Sequence, residues 1–211
     1  MLTIQNFRKK YQGTLAMDIP ELRIPDGIHW ILGQNGSGKT TFLKSLAGLL
    51  PFEGQVTIDD TWEQGRDPVP YRLRANFAEA EPRFPGFLTP KDLVHFVGKA
   101  KQAPENQAIS LVRHFGIESF YEQNIGTFSS GMVKKVSLVL AFLGRPRWMF
   151  LDEPLITLDV ETVDRLVSLI LKQHGEGVNF LLSSHQKFPL EVEIVSHKYR
   201  VANKTLAPDH A

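Results

Sequence analysis

Short stretches of alternating apolar and polar residues dominate the N-terminal part of the chain, at residues 2–7, 15–24 and 55–59. A period of two residues is typical of a half-exposed β-strand. Residues 28–32 form instead a continuous apolar run, which predicts a short buried strand. Turn-forming residues at 8–13 and 25–27 separate these stretches, so the region is predicted to be mostly β-structure.

The C-terminal part alternates apolar runs with an amphipathic stretch. The runs at 147–151 and 178–184 predict buried strands, and residues 160–173 carry apolar side chains at helical spacing. Two further stretches, 191–195 and 198–205, predict terminal strands. Strands that alternate with helices favour a mainly parallel sheet, so the predicted fold class is α/β.

The middle of the chain is predicted to be helical. Residues 62–74 lack a regular pattern and are interpreted as a loop, followed by a short strand at 75–80. Thr89 and Pro90 then have the residue types of a helix N-cap and a first helical position. Further helices are predicted at 107–115, 118–123 and 133–143.

The whole chain, 1–211, is predicted to form one domain, with a helical subdomain of residues 88–143 inserted into a core of residues 1–87 and 144–211. Its 42% apolar and 22% charged residues are ordinary for a soluble protein. A net charge of +1 predicts no strong attraction to nucleic acid, so no nucleic-acid partner is expected. The absence of cysteine excludes disulfides and agrees with a cytosolic location.

The most specific motif lies between the strand at 28–32 and a predicted helix at 41–50. It fits the pattern G-x-x-x-x-G-K-[ST], which in this context predicts a phosphate-binding loop. Glycines let backbone amides converge on an anion, and the helix N-terminus adds positive partial charge. Lys39 is expected between the β- and γ-phosphates, and Thr40 on Mg²⁺. The predicted nucleotide-binding residues are Gly33, Gln34, Asn35, Gly36, Ser37, Gly38, Lys39, Thr40 and Thr41.

Two consecutive carboxylates, Asp152 and Glu153, end the apolar run at 147–151. A bound nucleotide needs one carboxylate for Mg²⁺ and a group that orients or deprotonates water. Neighbouring side chains at a strand end project differently, so Asp152 is assigned to the metal and Glu153 to the γ-phosphate. The simpler interpretation is an acidic helix cap.

His185 follows the second C-terminal strand, where ligands gather in open α/β sheets. An imidazole there is expected to hydrogen-bond the γ-phosphate, although taken alone it is an ordinary surface-loop histidine.

Ser129, Ser130 and Gly131 precede the predicted helix at 133–143, and serines at a helix N-terminus form an anion site or a simple N-cap. Because they lie in the helical subdomain, far along the chain from Lys39, they are predicted to contact the nucleotide of a second protomer.

These motifs, in this order, resemble those of the nucleotide-binding subunit of ATP-binding-cassette (ABC) transporters over nearly the full chain. The corresponding segments are Walker A at 33–40, the signature at 128–132, Walker B at 150–153 and the D-loop at 156–159, which ends on Asp159. His185 matches the switch histidine. Tyr11 is assigned as the adenine-stacking aromatic only through the resemblance, since an aromatic residue in a strand turn is usually a packing residue.

The resemblance implies a P-loop NTPase fold with a RecA-like core, an N-terminal antiparallel β subdomain and a helical insert subdomain. It implies a Mg²⁺-dependent ATPase that binds ATP. The catalytic residues would be Glu153, His185 and Lys39, and the metal would be held by Thr40 and Asp152.

The resemblance also implies partners. Two copies would close head to tail on two ATP molecules, as a homodimer in which Ser129 to Gly131 of one copy contact the ATP of the other. A separate transmembrane permease chain would hold the cytoplasmic dimer at the inner face of the cell membrane.

Two departures from the family pattern bear on these expectations. The signature reads FSSGM where the family usually has LSGGQ, so Ser130 replaces a glycine. Ala80 stands where the family has the Q-loop glutamine, and an alanine cannot contact Mg²⁺ or water. Either Glu79 or Glu81 substitutes for it, or the link to the membrane partner is built differently.

Three functions are therefore weighed. The first is a transporter ATPase whose segment 80–89 docks on the permease through Phe84, Phe87 and Leu88. The second is a soluble ABC ATPase without a transport role. The lack of coiled-coil arms argues against the chromosome and repair types, and the lack of tandem cassettes against the translation type, which leaves the iron–sulfur assembly type. The third is a nucleotide-dependent binding module with little turnover, which the altered signature and Q-loop suggest.

Overall fold

The computed structural model of the protein describes residues 1–184 and 195–209. Its strands are β1 Leu2–Tyr11, β2 Thr14–Ile24, β3 Ile28–Leu32, β4 Glu53–Ile58, β5 Trp62–Glu63, β6 Ala75–Ala78, β7 Trp148–Asp152, β8 Asn179–Ser183, β9 His197–Ala202 and β10 Thr205–Pro208. Its α-helices are α1 Lys39–Leu46, α2 Pro68–Arg74, α3 Pro90–Ala100, α4 Glu105–His114, α5 Ser130–Ala141 and α6 Val160–Gly175.

A central sheet has the strand order β10-β9-β3-β8-β7-β6, and all neighbours except β10 and β9 are parallel. Alternate residues of β7 enter two different cores. Met149 and Leu151 pack with the helices that follow β6, whereas Trp148 and Phe150 pack with α1 and the outer sheet. The sheet is thus covered on both faces, which explains why its strands are almost wholly apolar.

The outer sheet is antiparallel, with the order β2-β1-β4-β5. It packs its apolar residues, among them Leu2, Ile4 and Phe7, against α1 and the central sheet. The predicted mixed α/β fold with an antiparallel β subdomain is confirmed.

Helices α3, α4 and α5 occupy the region predicted to be helical. Thr89 caps α3 as expected, since its hydroxyl accepts from the Asp92 amide while the Asp92 carboxylate accepts from the Thr89 amide. The apolar faces of these helices belong to the same core cluster as Met149 and Leu151. The boundaries proposed for the helical subdomain therefore stay a prediction. No helix of residues 1–184 or 195–209 is long and apolar enough to cross a membrane.

Several predicted elements differ from the structure. Strand β1 runs through the predicted turn at 8–13 and ends at Tyr11, with the turn formed by Gln12 and Gly13. The predicted loop at 62–74 contains β5 and α2. Helix α1 ends at Leu46, because Gly48 adopts the left-handed φ of 76° that stops a helix.

The other differences lie in the second half of the chain. The helix predicted at 118–123 is a single 3₁₀ turn, Glu118–Phe120. The strand predicted at 198–205 is a hairpin of β9 and β10, because Asn203 and Lys204 both adopt positive φ in the connecting turn. Most of the strand predicted at 191–195 lies outside the described residues.

Candidate functional site

The phosphate loop connects the end of β3 with the start of α1. Gly36 and Gly38 have φ values of 77° and 107°, which side chains with a Cβ rarely adopt. At Gly33 a Cβ atom would lie 2.7 Å from the Ser37 hydroxyl and 3.3 Å from Val201 on β9. The glycines of the motif are therefore required by backbone conformation and by close packing.

Lys39 folds back over its own loop. Its ammonium donates to the carbonyls of Gly33 at 2.7 Å and Gln34 at 3.2 Å, and the residue is buried. Within residues 1–184 and 195–209, the amides of Gly36 and Gly38 have no hydrogen-bond acceptor. Unpaired amides and a lysine bound only to carbonyls form a cradle that fits a phosphate anion.

Asp152 is completely buried at the end of β7 and accepts two hydroxyl hydrogen bonds. Thr40 of α1 donates to it at 2.7 Å, and Ser183 of β8 donates at 2.5 Å. Asp152 and Ser183 are paired in the parallel register of β7 and β8, so the sheet itself places them side by side. A hydroxyl and a carboxylate in contact are oxygen ligands of the kind Mg²⁺ prefers, so this pair fits the expected metal site.

Glu153 follows Asp152 in a strained backbone conformation, with a φ of 42°. Its amide donates to the Ser183 carbonyl at 3.1 Å and to the Ser183 hydroxyl at 3.2 Å, which fixes the turn. A cavity of about 210 Å³ is lined by Asp152, Glu153 and residues 35–41. The structure therefore brings the phosphate loop and both predicted carboxylates together around one space.

Of two other predicted site residues, Tyr11 and His185, the structure describes only Tyr11. Tyr11, about half exposed, lies beside the loop, with its hydroxyl 3.4 Å from that of Thr41. The Lys9 ammonium covers the Tyr11 ring at 4.8 Å from its centroid. His185, the predicted switch histidine, lies outside the described residues.

The signature segment lies at the start of α5 and does not line the cavity. The Ser129 hydroxyl accepts from the Met132 amide at 3.3 Å, so Ser129 is the N-cap, and both Ser129 and Ser130 are exposed. A Cβ atom on Gly131 would lie 2.9 Å from the carbonyl of Thr157. Gly131 is thus required for close contact with the D-loop. The signature serines do not line the cavity beside the phosphate loop of their own chain.

Asp159, the predicted D-loop aspartate, is the N-cap of α6. It accepts from the Thr162 amide at 2.7 Å and forms an ion pair with Lys135 of α5 at 2.9 Å. The hydrogen bond from Thr162 and the Lys135 ammonium hold the pKa of Asp159 well below its ordinary value. The D-loop is therefore fastened to the helix that begins with the signature.

Ala80 falls within the strand predicted at 75–80, but β6 ends at Ala78 and Ala80 lies in the segment that follows it. The neighbouring Glu79 carboxylate forms an ion pair with Lys44 of α1. The Ala80 carbonyl accepts at 3.0 Å from Lys134 of α5.

Sequence reasoning missed Ser183, Lys134 and Lys135 as residues that hold this site. The apolar run at 178–184 predicts Ser183 only as part of a strand. The available signal for Lys134 and Lys135 is a pair of adjacent charges at the start of the largely apolar stretch at 133–143.

The fold and the site define a class of protein. A glycine-rich loop joins a central parallel strand to a helix, and an acidic strand end lies two strands away, with β8 between β3 and β7. This arrangement is that of a P-loop nucleotide-binding protein.

Comparisons with known proteins place the chain within this class. The model of the ABC transporter family matches residues 21–156, and the chain belongs to this family. It is 30% identical over 189 residues to the tungstate uptake system ATP-binding protein TupC of Peptoclostridium acidaminophilum, covering 87% of this chain and 86% of that protein. The resemblance inferred from the motifs is thereby confirmed, together with ATP binding as a property of the family.

Solved structures show the same fold. An ATP-binding subunit of an ABC transporter aligns with a TM-score of 0.89 at 24% identity, covering 99% of this chain and 89% of that one. A dimeric ATP-binding cassette in a post-hydrolysis state with ADP and Pi aligns with a TM-score of 0.84 at 18% identity. The alignment covers 99% of this chain and 98% of that one. At these identities the likeness concerns the fold.

Proposed function

We propose that this protein hydrolyses ATP to ADP and phosphate in a Mg²⁺-dependent reaction and thereby drives a separate transmembrane chain of a transporter. The observation that carries the proposal is the single cavity shared by the phosphate loop, Asp152 and Glu153. A binding loop alone needs no second carboxylate, whereas hydrolysis needs a group that acts on water.

Each residue has a role that follows from its position. The loop amides and the Lys39 ammonium bind the phosphates. To do so, the ammonium gives up its hydrogen bonds to the Gly33 and Gln34 carbonyls and donates to phosphate oxygens instead. Thr40 and Asp152 would hold Mg²⁺, which neutralises charge on the transferred phosphate when bound. Glu153 orients the attacking water and accepts its proton, and His185 is proposed to hydrogen-bond the γ-phosphate.

We further propose that two copies form the active unit. Ser129, Ser130 and Gly131 do not line the cavity of their own chain, so in this proposal they complete the cavity of a second copy. The likeness to a dimeric cassette with ADP and Pi supports this arrangement.

The membrane partner is proposed to bind at an apolar groove of about 520 Å³ beside α1 and α3. Leu49, Val69 and Phe96 line it and are 56%, 62% and 73% exposed. Of the contacts predicted on segment 80–89, Phe87 is 77% exposed, whereas Phe84 and Leu88 pack partly into the helical core. An exposed apolar surface of this kind fits a protein partner, here a transmembrane chain at the inner face of the cell membrane.

The test of hydrolysis is Glu153→Gln, which removes the proposed base and preserves shape. We expect kcat to fall at least about 100-fold while ATP affinity is retained, because the phosphate contacts remain. ATP should also convert the variant into a stable dimer in analytical ultracentrifugation.

The matched control is Glu122→Gln, on an exposed carboxylate paired with Lys91, which should retain the wild-type rate. If Glu153→Gln hydrolyses ATP as fast as this control, Glu153 has no catalytic role. If ATP leaves it monomeric, the proposed dimer is wrong.

Transport is tested separately by capture of partners from native membranes. Recovery of a polytopic membrane protein with the wild type, and its loss with Phe96→Asp, supports the transporter. Recovery of only soluble partners favours a soluble ABC ATPase.

A further inference from the structure

Lys134 is a fully buried lysine in the second turn of α5. Its ammonium donates to the carbonyls of Glu79 at 2.7 Å, Ala80 at 3.0 Å and Glu153 at 3.1 Å. An ammonium group has three donors, so the main chain uses its full hydrogen-bonding capacity.

These three carbonyls belong to separate parts of the site. Glu79 and Ala80 follow β6 in the segment where the family glutamine is replaced, and Glu153 is the proposed catalytic residue. Lys134 itself lies one turn beyond Gly131 on the helix that the signature begins. One ammonium therefore joins the signature helix, segment 79–81 and the turn that positions Glu153.

Burial of the Lys134 ammonium costs free energy, and the surrounding carboxylates favour its charged form. Burial lowers its pKa to about 8, while Asp152, Glu153, Glu79 and Glu81 act to raise it. Glu79 is also paired with Lys44, so segment 79–81 is attached to α1 as well as to α5. A buried cation with fixed partners stabilises one arrangement of these segments over alternatives.

We propose that Lys134 is a positioning residue that couples segment 79–81 to Glu153, in place of the side chain absent at Ala80. A displacement of the segment by a partner moves the ammonium and, through it, the peptide of Glu153. Because the contact uses the Ala80 carbonyl, it does not depend on the side chain at that position. The effect on turnover rests on the hydrolysis proposed above.

The test compares Lys134→Met with a matched control, Lys101→Met. Lys101 donates to the carbonyls of Arg72 and Ala75, and burial also lowers its pKa to about 8. Lys101 follows α3, and its ammonium lies at the start of β6 and not at the end of β7. Because Lys101 also lines the apolar groove, both variants are assayed as the isolated protein without a membrane partner. Each variant loses one ammonium held by backbone carbonyls and keeps an apolar stem, so a general loss of stability should affect both.

We expect Lys134→Met to lower kcat at least tenfold while KM for ATP stays within about threefold, and Lys101→Met to retain the wild-type kcat. Thermal melting of both variants confirms that they are folded at the assay temperature. Equal kcat in the two variants, or a change confined to KM, overturns the positioning role.

Hydrogen exchange provides a readout that does not require turnover. A non-hydrolysable ATP analogue with Mg²⁺ should change the exchange of amides 79–81 in the wild type and in Lys101→Met, but not in Lys134→Met. A retained response in Lys134→Met overturns the coupling. If the wild type fails to hydrolyse ATP, the proposed function is wrong, and this exchange experiment still decides the coupling.

Discussion

The two ends of the central sheet both contain buried or half-buried charges, but they use them differently. At the amino ends of the strands, Arg147 binds Asp59 at 2.8 Å and also contacts Asp26. The terminal ammonium of Met1 binds the same two carboxylates, at 2.6 Å from Asp26 and 2.5 Å from Asp59. These opposite charges neutralise one another within the protein.

At the carboxyl ends of the strands the hydrogen-bond partners of the charges are mostly uncharged. Lys39 and Lys134 donate to backbone carbonyls, and Asp152 accepts from two hydroxyls. Such partners satisfy the buried groups without cancelling their charge. The closed ion-pair cluster is suited to stability, and the open arrangement is suited to a charged ligand such as Mg²⁺-ATP.

The largest expected effect comes from removing one charge at each end. Lys39→Ala should weaken ATP binding by about 100-fold or more, because a charge-assisted contact to phosphate is lost, while thermal stability is retained. Arg147→Met should do the reverse, with a loss of about 1–2 kcal/mol in unfolding free energy and unchanged ATP affinity. Calorimetric titration measures ATP affinity, and denaturant unfolding measures stability. If both variants lose ATP affinity and stability to the same extent, the two ends of the sheet do not differ in the way described.

A smaller effect, dependent on pH, is expected from His29 at the amino end of β3. The ring is fully buried, stacks on Trp148 with centroids 5.9 Å apart, and burial lowers its pKa to about 4. Since the unfolded chain binds a proton near pH 6.5, this neutral ring is stabilising at neutral pH. That contribution is lost as the pH falls from 6.5 towards 4.

We expect the unfolding free energy to fall by about 2 kcal/mol between pH 7 and pH 5 on account of this ring. His29→Gln keeps a donor for the Pro25 carbonyl, which the ring contacts at 2.7 Å, and should remove that slope. His95→Gln, at an exposed position, should preserve it. An undiminished slope in His29→Gln would assign the acid sensitivity to other groups.

The smallest expected effect is that of Tyr11, which lies beside the loop and is about half exposed. If its ring stacks on adenine, Tyr11→Ala should weaken ATP binding about fivefold, an effect of about 1 kcal/mol, whereas Tyr11→Phe should bind as the wild type does. Fluorescence titration with ATP and with inorganic triphosphate checks the assignment. A comparable loss for triphosphate would show that the ring acts on the loop and not on the base.

The elements that the sequence predicted well are those whose local pattern and burial agree. The apolar run at 28–32 is β3, and the run before Asp152 is β7, because strands covered on both faces must be apolar throughout. Helix α2 is not predicted, because Pro68 and Pro70 are typical of a loop, although proline is also compatible with a first helical turn. Strand β1 extends beyond the alternating pattern because its polar end pairs with β2 and, at Arg8, with β4.

The sequence by itself determined the chemistry of the phosphate loop and the family of the protein. This was possible because nine consecutive residues, Gly33 to Thr41, supply the glycines, the lysine and the hydroxyls of the cradle. A local motif needs no distant partner to be recognised. The same holds for the consecutive pair Asp152 and Glu153.

Only the tertiary structure decided which distant residues complete the site. Thr40 and Asp152 are 112 positions apart, and Lys134 is 55 and 19 positions from the carbonyls of Glu79 and Glu153. The order of the parallel strands sets the first contact, and the packing of α5 beside β6 sets the second. Backbone carbonyls are present at every residue, so no sequence pattern marks the three that a buried lysine binds.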